Sequence, residues 1–374
     1  MRILHLAYED PAQPGSGGGS VRTREINRRL ATRHSITAIT SGYKGARPRI
    51  EDGIHWIPIG TLLGTRVGRL SYFALLGWTI RQHKFDLLVE DFGAPFSVGF
   101  APLFTRKPVI ASVQWLFAKQ MREKYHLPFD WVERMGLSLY HDFISVSDWL
   151  SRDITARSSN TPHVETIPNG VDSLAFAVEP DRPQHLVFLG RLDIQQKGCD
   201  LLLDIFAIVH RTLGAQTPRL LIIGDGEDRL YLEQKVQQLG LFEVVTFCGR
   251  VEGIEKYRLL ATAYAVLMPS RFETFGMVAA EGQAAGAPII TFDVGPLAEV
   301  VGGGGARLVS PFDLETFAQE TVMLIQNEQL FDEIRTLGRN WAKRYDWDQI
   351  AVQQEQHYLR TLGLIEAPHK PISG

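Results

Sequence analysis

Residues 186–224 read LVFLGRLDIQQKGCDLLLDIFAIVHRTLGAQTPRLLIIG, and their pattern decides the fold class. Leu186–Leu189 is an apolar run of strand length that ends at a glycine. A stretch with helical spacing of apolar residues begins at Cys199, and a second short run, Arg219–Ile223, follows it. Strand, helix and strand in that order make a βαβ unit, in which the two strands lie parallel and the helix carries the crossover.

The same rhythm extends in both directions. Downstream, strands are expected near Val244–Phe247, Ala265–Met268 and Pro288–Phe292; upstream, near Ile3–Ala7, Ile36–Ile39, Leu87–Glu90, Val109–Ser112 and Phe143–Val146. Between the two series, Asp172–Gln184 carries Pro180, Pro183 and several charges, a composition that suits a linker. A chain of 374 residues exceeds one ordinary core, because single cores stop growing near ~250 residues. The expectation is an α/β protein with an N-terminal Rossmann-like domain over 1–171, a linker over 172–184 and a C-terminal Rossmann-like domain over 185–345. Residues 346–374 are expected to form a closing helix that packs back on the first domain.

Hydrophobic residues make up 45% and charged residues 22%, the balance of a globular protein and not of a disordered or collagen-like one. The formal net charge of -3 hides an asymmetry: residues 1–170 hold 21 Lys and Arg against 15 Asp and Glu, and the remainder 18 against 27. The only cysteines, Cys199 and Cys248, build neither a disulfide framework nor a zinc cluster, and a reducing cytosol suits them. The opening apolar run is shorter than a signal-peptide core, and no uncharged run approaches the ~18 residues of a membrane span. A cytoplasmic protein, soluble or peripheral at a membrane, is expected.

Candidate functional groups stand where the expected strands end. Gly17, Gly18 and Gly19 fall between the first strand and a helix read over Val21–Leu30, and the amides of such a turn can cradle phosphate; an ordinary glycine turn is the plainer reading. Gly190-Arg191 and Lys197-Gly198 place two cations six residues apart before a helix start, an arrangement suited to a diphosphate, although two solvated surface charges would look the same. Gly224-Asp225 closes another strand with small residues, and Arg250 follows the strand that ends at Phe247.

The most specific constellation is Arg271-Phe-Glu273-Thr-Phe275-Gly276 with Glu281, followed by small residues through Gly286-Ala-Pro288. With Gly276–Gly286 as a helix, its first amides point toward a ligand while Glu281 rises from its exposed face. A hydrolytic carboxylate pair needs ~5 to ~9 Å, whereas eight helical residues span about 12 Å at ~1.5 Å each. Glu273 and Glu281 are therefore expected to hold different parts of one ligand. A helix-capping role for Glu273 and a solvated position for Glu281 are the bland alternatives.

Taken together, Gly190-Arg191, Lys197-Gly198, the Glu273 and Glu281 pair, and Ile167-Pro-Asn-Gly-Val-Asp172 make the chain resemble a retaining family 4 glycosyltransferase of GT-B fold along nearly its whole length. The resemblance implies two Rossmann-like βαβ domains facing across a cleft, a nucleotide-diphosphate sugar as co-substrate, and no bound metal or other cofactor. It implies that Arg191 and Lys197 hold the diphosphate, that Glu281 bonds the ribose hydroxyls, and that Glu273 meets the sugar with the Phe275 and Gly276 amides. Gly17–Gly19 would close over the phosphates, and Gly190, Gly224, Asp225 and Arg250 complete the donor side. One departure is Gln114, at a position often held by histidine on the acceptor and sugar side. Glutamine donates and accepts hydrogen bonds but does not titrate near neutral pH.

The acceptor is not readable from sequence. The cations Arg106, Lys107, Lys119, Arg122 and Lys124, interleaved with Trp115, Phe117 and Tyr125, point to an anionic or lipid-linked acceptor at a membrane surface, and no nucleic-acid partner is expected. A nucleotide-sugar epimerase on the same fold and a non-catalytic nucleotide-sugar-binding protein are the rival readings.

Overall fold

The computed structural model describes residues 1–13, 16–60, 65–93, 98–116, 118, 122, 126 and 129–366, with only the backbone for 65–70. The chain divides into two compact units, Met1–Asn169 with Trp347–Gly374, and Gly170–Asp346.

Among the described residues the first unit carries eight strands: β1 Arg2–Tyr8, β2 Ser35–Ser41, β3 Arg49–Glu51, β4 Ile54–Ile59, β5 Leu87–Asp91, β6 Val109–Val113, β7 Asp142–Ser145 and β8 His163–Thr166. They lie in the order β3-β4-β2-β1-β5-β6-β7-β8. All neighbours are parallel except β3 and β4, which form an antiparallel hairpin. Because helices cover a parallel sheet, its strands read as apolar runs instead of alternating ones; Leu87, Leu88 and Val89 of β5 are all fully buried.

Helix Trp347–Thr361 belongs to this first unit. Its Trp347, Ile350 and Tyr358 enter the same core as Ile26 and Leu30 of helix Gly18–Leu30. Asp348 pairs with Arg29 at 2.5 Å and Glu355 with Arg33 and His34 at 2.5 and 2.6 Å. Buried Arg22 donates to Pro168 O, Asn169 Oδ1 and Gln354 Oε1 at 2.6, 3.0 and 2.7 Å.

The second unit carries β9 His185–Leu189, β10 Arg219–Ile223, β11 Val245–Gly249, β12 Ala263–Met268, β13 Ile289–Phe292 and β14 Ala306–Val309. Their order is β11-β10-β9-β12-β13-β14, parallel throughout. In chain order that is 3-2-1-4-5-6, the doubly wound arrangement, whose switch point lies between β9 and β12. Helix Cys199–Leu213 closes one face of this sheet by burying Leu202, Leu203, Ile205, Phe206 and Val209, each contributing roughly 1.5–3 kcal/mol of transfer free energy. Cys199 is packed in the same core, and burial pushes its thiol up to about 12.

Residues 172–184, expected as a linker, instead form part of the second unit. Asp172 caps a short helix, Ser173–Ala177, by accepting from the Leu174 amide. Arg339 donates to Phe176 O and Val178 O, Arg335 donates to Asp181 O, and the Asp181 and Gln184 amides bond to Ala261 O and Thr262 O. The prolines do not release the chain, because backbone groups of Phe176, Val178, Asp181 and Gln184 are met by the unit it lies on.

Candidate active site

The switch point of the second sheet collects the cations and one of the carboxylates singled out in the sequence. β9 runs out at Leu189 into Gly190 and Arg191, and β12 runs out at Met268 into Ser270 and Glu273. Lys197, on the short helix Ile194–Lys197, places Nζ 2.6 Å from Glu273 Oε1, and Ser270 Oγ donates to the same oxygen at 2.9 Å. Glu273 is buried, so its charge is held by Lys197 and Ser270 instead of by solvent. A capping role for Glu273 is not what the geometry shows: the following helix, Met277–Ala285, starts at Gly276 with no side-chain cap.

Arg191 sits differently. Its side chain is 62% exposed and touches Asp193 Oδ2 at 3.0 Å and Gln196 Oε1 at 2.8 Å. Two cations of the same loop thus meet solvent to different degrees: Lys197 is braced by a buried carboxylate, and Arg191 is held by Asp193 and Gln196 at the surface.

The loops that carry them are tied together by Arg271. Its guanidinium bonds both oxygens of Asp200 at 2.7 and 2.8 Å and Ile194 O at 2.6 Å, and its amide donates to Gln196 O at 2.9 Å. The bidentate bond to Asp200 raises the Arg271 pKa further. Arg271 is therefore a brace for the Arg191–Lys197 loop.

Glu281 departs from the expectation of an exposed helix face. Its side chain is 14% exposed, and Oε1 accepts from Lys256 Nζ at 2.9 Å and from Tyr257 OH at 3.3 Å. Both donors come from helix Gly253–Ala261, which packs on Met277–Ala285. Burial, with the Glu281 charge, pushes the Tyr257 phenol well above its ordinary range.

Gly224 is a steric requirement: a Cβ there would collide with the carbonyl oxygen of Gly190, so β9 and β10 can only exit this closely with glycine. Asp225 and Arg250 are exposed; Asp225 Oδ1 accepts from the Gly226 amide at 2.9 Å and lies 4.0 Å from Arg229. Phe275 is buried with its ring edge-on to Tyr345 at 5.6 Å. Gly276 has φ +93, and a Cβ on it would meet Leu297.

In the first unit Gly18 and Gly19 occupy the first turn of the helix itself, which starts at Gly18 and not near Val21, and Gly17 is its extended N-cap. Local bonds outweigh glycine's poor helix propensity: Ser20 Oγ donates to Gly17 O at 2.8 Å and Thr23 Oγ1 to Gly19 O at 3.2 Å. The Gly17 amide donates to Glu9 Oε2 at 3.0 Å, and Gln114 Nε2 donates to Gly19 O at 3.3 Å. The structure brings Gln114 and the glycine turn together, with Gln114 holding that turn.

Ser270, Lys256, Tyr257 and Asp200 escaped the sequence reading. Lys256 and Glu281 are 25 positions apart and Lys197 and Glu273 are 76 apart, so their contact follows from strand order, for which the linear pattern carries no signal. Among the described residues no group of three or more His, Cys, Asp or Glu is placed to hold a metal ion.

Two doubly wound units, one with a cation and carboxylate cluster at its switch point, define a GT-B fold. The solved sucrose-phosphate synthase of Thermosynechococcus elongatus shares it with TM-score 0.82 at 20% identity, over 97% of this chain and 100% of that one. Anabaena HepE, solved in complex with UDP-glucose, shares it with TM-score 0.74 at 18% identity, over 96% of this chain and 100% of that one. Residues 16–173 match the Glycosyltransferase Family 4 model and residues 183–327 the model for Glycosyl transferases group 1. The phosphatidyl-myo-inositol mannosyltransferase of Mycobacterium tuberculosis is 30% identical over 382 residues, 97% of this chain and 98% of that protein. Its namesake in Mycobacterium leprae is 33% identical over 218 residues, a match that spans 56% of each chain. The chain belongs to glycosyltransferase family 4.

Proposed function

We propose that the protein is a retaining, metal-independent glycosyltransferase that moves a sugar from a nucleotide-diphosphate donor to a lipid-linked or glycoconjugate acceptor at a membrane surface. The observation that carries this reading is the Lys197–Glu273 pair at 2.6 Å beside Arg191, at the switch point of the second sheet.

Breaking a sugar–phosphate bond moves its electron pair onto a diphosphate oxygen, and preorganised cations stabilise that charge. Lys197 and Arg191 serve the leaving group. Glu273 meets the sugar hydroxyls with the Phe275 and Gly276 amides, and Glu281 meets the ribose. The acceptor oxygen forms the new glycosidic bond, and its proton passes to a phosphate oxygen, so no side chain has to act as base. Gly190, Gly224, Asp225 and Arg250 line the donor side.

The lipid acceptor is supported by the names of the mycobacterial relatives and by the surface of the first unit. At the amino ends of β1, β5 and β6 a cavity of about 310 Å³ is bordered by Arg2, Arg81, His83, Lys84 and Lys107. Trp78, one helical turn before Arg81, is exposed. Of the cations and aromatics first singled out for this role, Lys119, Lys124, Phe117 and Tyr125 lie outside the described residues. Arg122 pairs with Asp130 at 2.5 Å. No helix among the described residues is long and apolar enough to cross a membrane.

The test supplies a panel of nucleotide sugars with and without candidate acceptors in the presence of EDTA, and reads the anomeric configuration of the product. Transfer with retention that survives chelation is expected. Activity abolished by chelator and restored by Mg²⁺, or isomerised sugar formed from donor alone, would sink the proposal.

A further inference from the structure

Glu281 is held from one side only. Lys256 Nζ and Tyr257 OH both reach Oε1, at 2.9 and 3.3 Å, and Oε2 takes no hydrogen bond from protein among the described residues. Lys256 is itself fixed: its ammonium lies 4.4 Å from the centroid of the Tyr257 ring, a cation–π contact, and Tyr257 is fully buried. The Lys256 and Glu281 side chains are 19% and 14% exposed, too little for the pair to be a solvent-screened surface contact.

A carboxylate offers about four lone-pair sites, two on each oxygen. Two donors on Oε1 use that oxygen's pair and leave two sites on Oε2. Two sites on one oxygen suit the two O–H groups of a vicinal diol, and a carboxylate already locked in one rotamer loses less entropy when the diol arrives.

We infer that Lys256, seconded by Tyr257, is a positioning residue that turns Oε2 of Glu281 toward the 2′- and 3′-hydroxyls of the donor's ribose. The inference rests on the proposed role of Glu281 and names the groups that make that role selective for ribose over deoxyribose.

Calorimetric titration of the full chain with UDP, GDP and ADP, each beside its 2′-deoxy form, tests it. For the nucleotide that binds best, wild type should prefer the ribose form about tenfold or more, the size of one hydrogen bond to a charged acceptor. Lys256→Met should bring that ratio close to one, Tyr257→Phe should lower it partly, and Lys256→Arg should restore it. Circular dichroism checks that each variant is folded. In a Glu281→Gln background, Lys256→Met should change the ratio no further; a full additional loss there would mean that Lys256 touches the nucleotide itself and would overturn the positioning role. A Lys256→Met ratio equal to wild type, with Glu281→Gln having lost it, overturns the inference and leaves the role of Glu281 standing. A wild-type ratio near one, or one unchanged by Glu281→Gln, overturns the role of Glu281 and the inference with it.

Discussion

Lys197→Ala and Arg191→Ala should be alike in chemistry and unlike in stability. Both substitutions remove a preorganised partner of the departing phosphate, a loss typically near 3–4 kcal/mol or ~10²–10³ in rate. Lys197 also neutralises Glu273, whose side chain is 5% exposed, and is itself 19% exposed. Stripping one partner from a buried pair costs about 3–5 kcal/mol and from an exposed pair about 0–1. With Ser270 still donating to Glu273 at 2.9 Å, a value of roughly 2–3 kcal/mol follows for Lys197→Ala. In a unit of this size that lowers the melting temperature by roughly 5–10 °C. Arg191 is 62% exposed, so its loss should cost under about 1 kcal/mol. Single-turnover release of nucleoside diphosphate in the presence of acceptor gives the rate, and thermal unfolding followed by circular dichroism gives the stability. Near-normal rates in both variants would refute the leaving-group assignment, and equal melting temperatures would refute the reading of Lys197 as a buried brace.

Glu273→Ala should cripple turnover more than nucleotide binding, and Glu281→Ala should mainly raise the donor Kd; purely affinity-based losses of equal size in both would contradict their separate roles. Glu90 makes the fold pH-sensitive: burial pushes its carboxyl from 4.5 up to about 7, although Tyr140 OH and the Gly99 and Ala101 amides donate to it. A folded-state value above the unfolded one contributes stability that is complete below about pH 4.5 and lost as pH rises through about 7. Glu90→Gln should therefore gain up to about 3 kcal/mol on wild type between those limits, and parallel urea-unfolding profiles across pH would rule this out. Sedimentation with anionic vesicles at low salt, weakened by Arg81→Ala and Lys84→Ala together, is expected from about 1 kcal/mol per cation near an anionic surface; wild type remaining in the supernatant would dismiss the membrane contact.

The fold class was legible because the period of apolar residues is a short-range property. The strands read near Leu186, Arg219, Ala265 and Leu87 are present with their ends moved by at most two residues. Four strands were not read. β3 and β4 are joined by Asp52-Gly53, both with positive φ, a two-residue hairpin signal that was present and overlooked. β8 and β14 are four-residue edge strands with little burial, so their sequence carries almost no apolar run. Among the site residues, Gly190 to Lys197 and Glu273 to Glu281 were recognisable because each set lies within a single strand, loop and helix. That Lys197 meets Glu273, that Arg271 braces Asp200 and that Lys256 holds Glu281 came only with the tertiary structure. So did the seating of Arg22 against Gln354, 332 positions away. Local spacing determines which element forms, whereas these contacts depend on which strands become neighbours and which helix faces meet, and the free energy that decides it is gained only when distant segments pack.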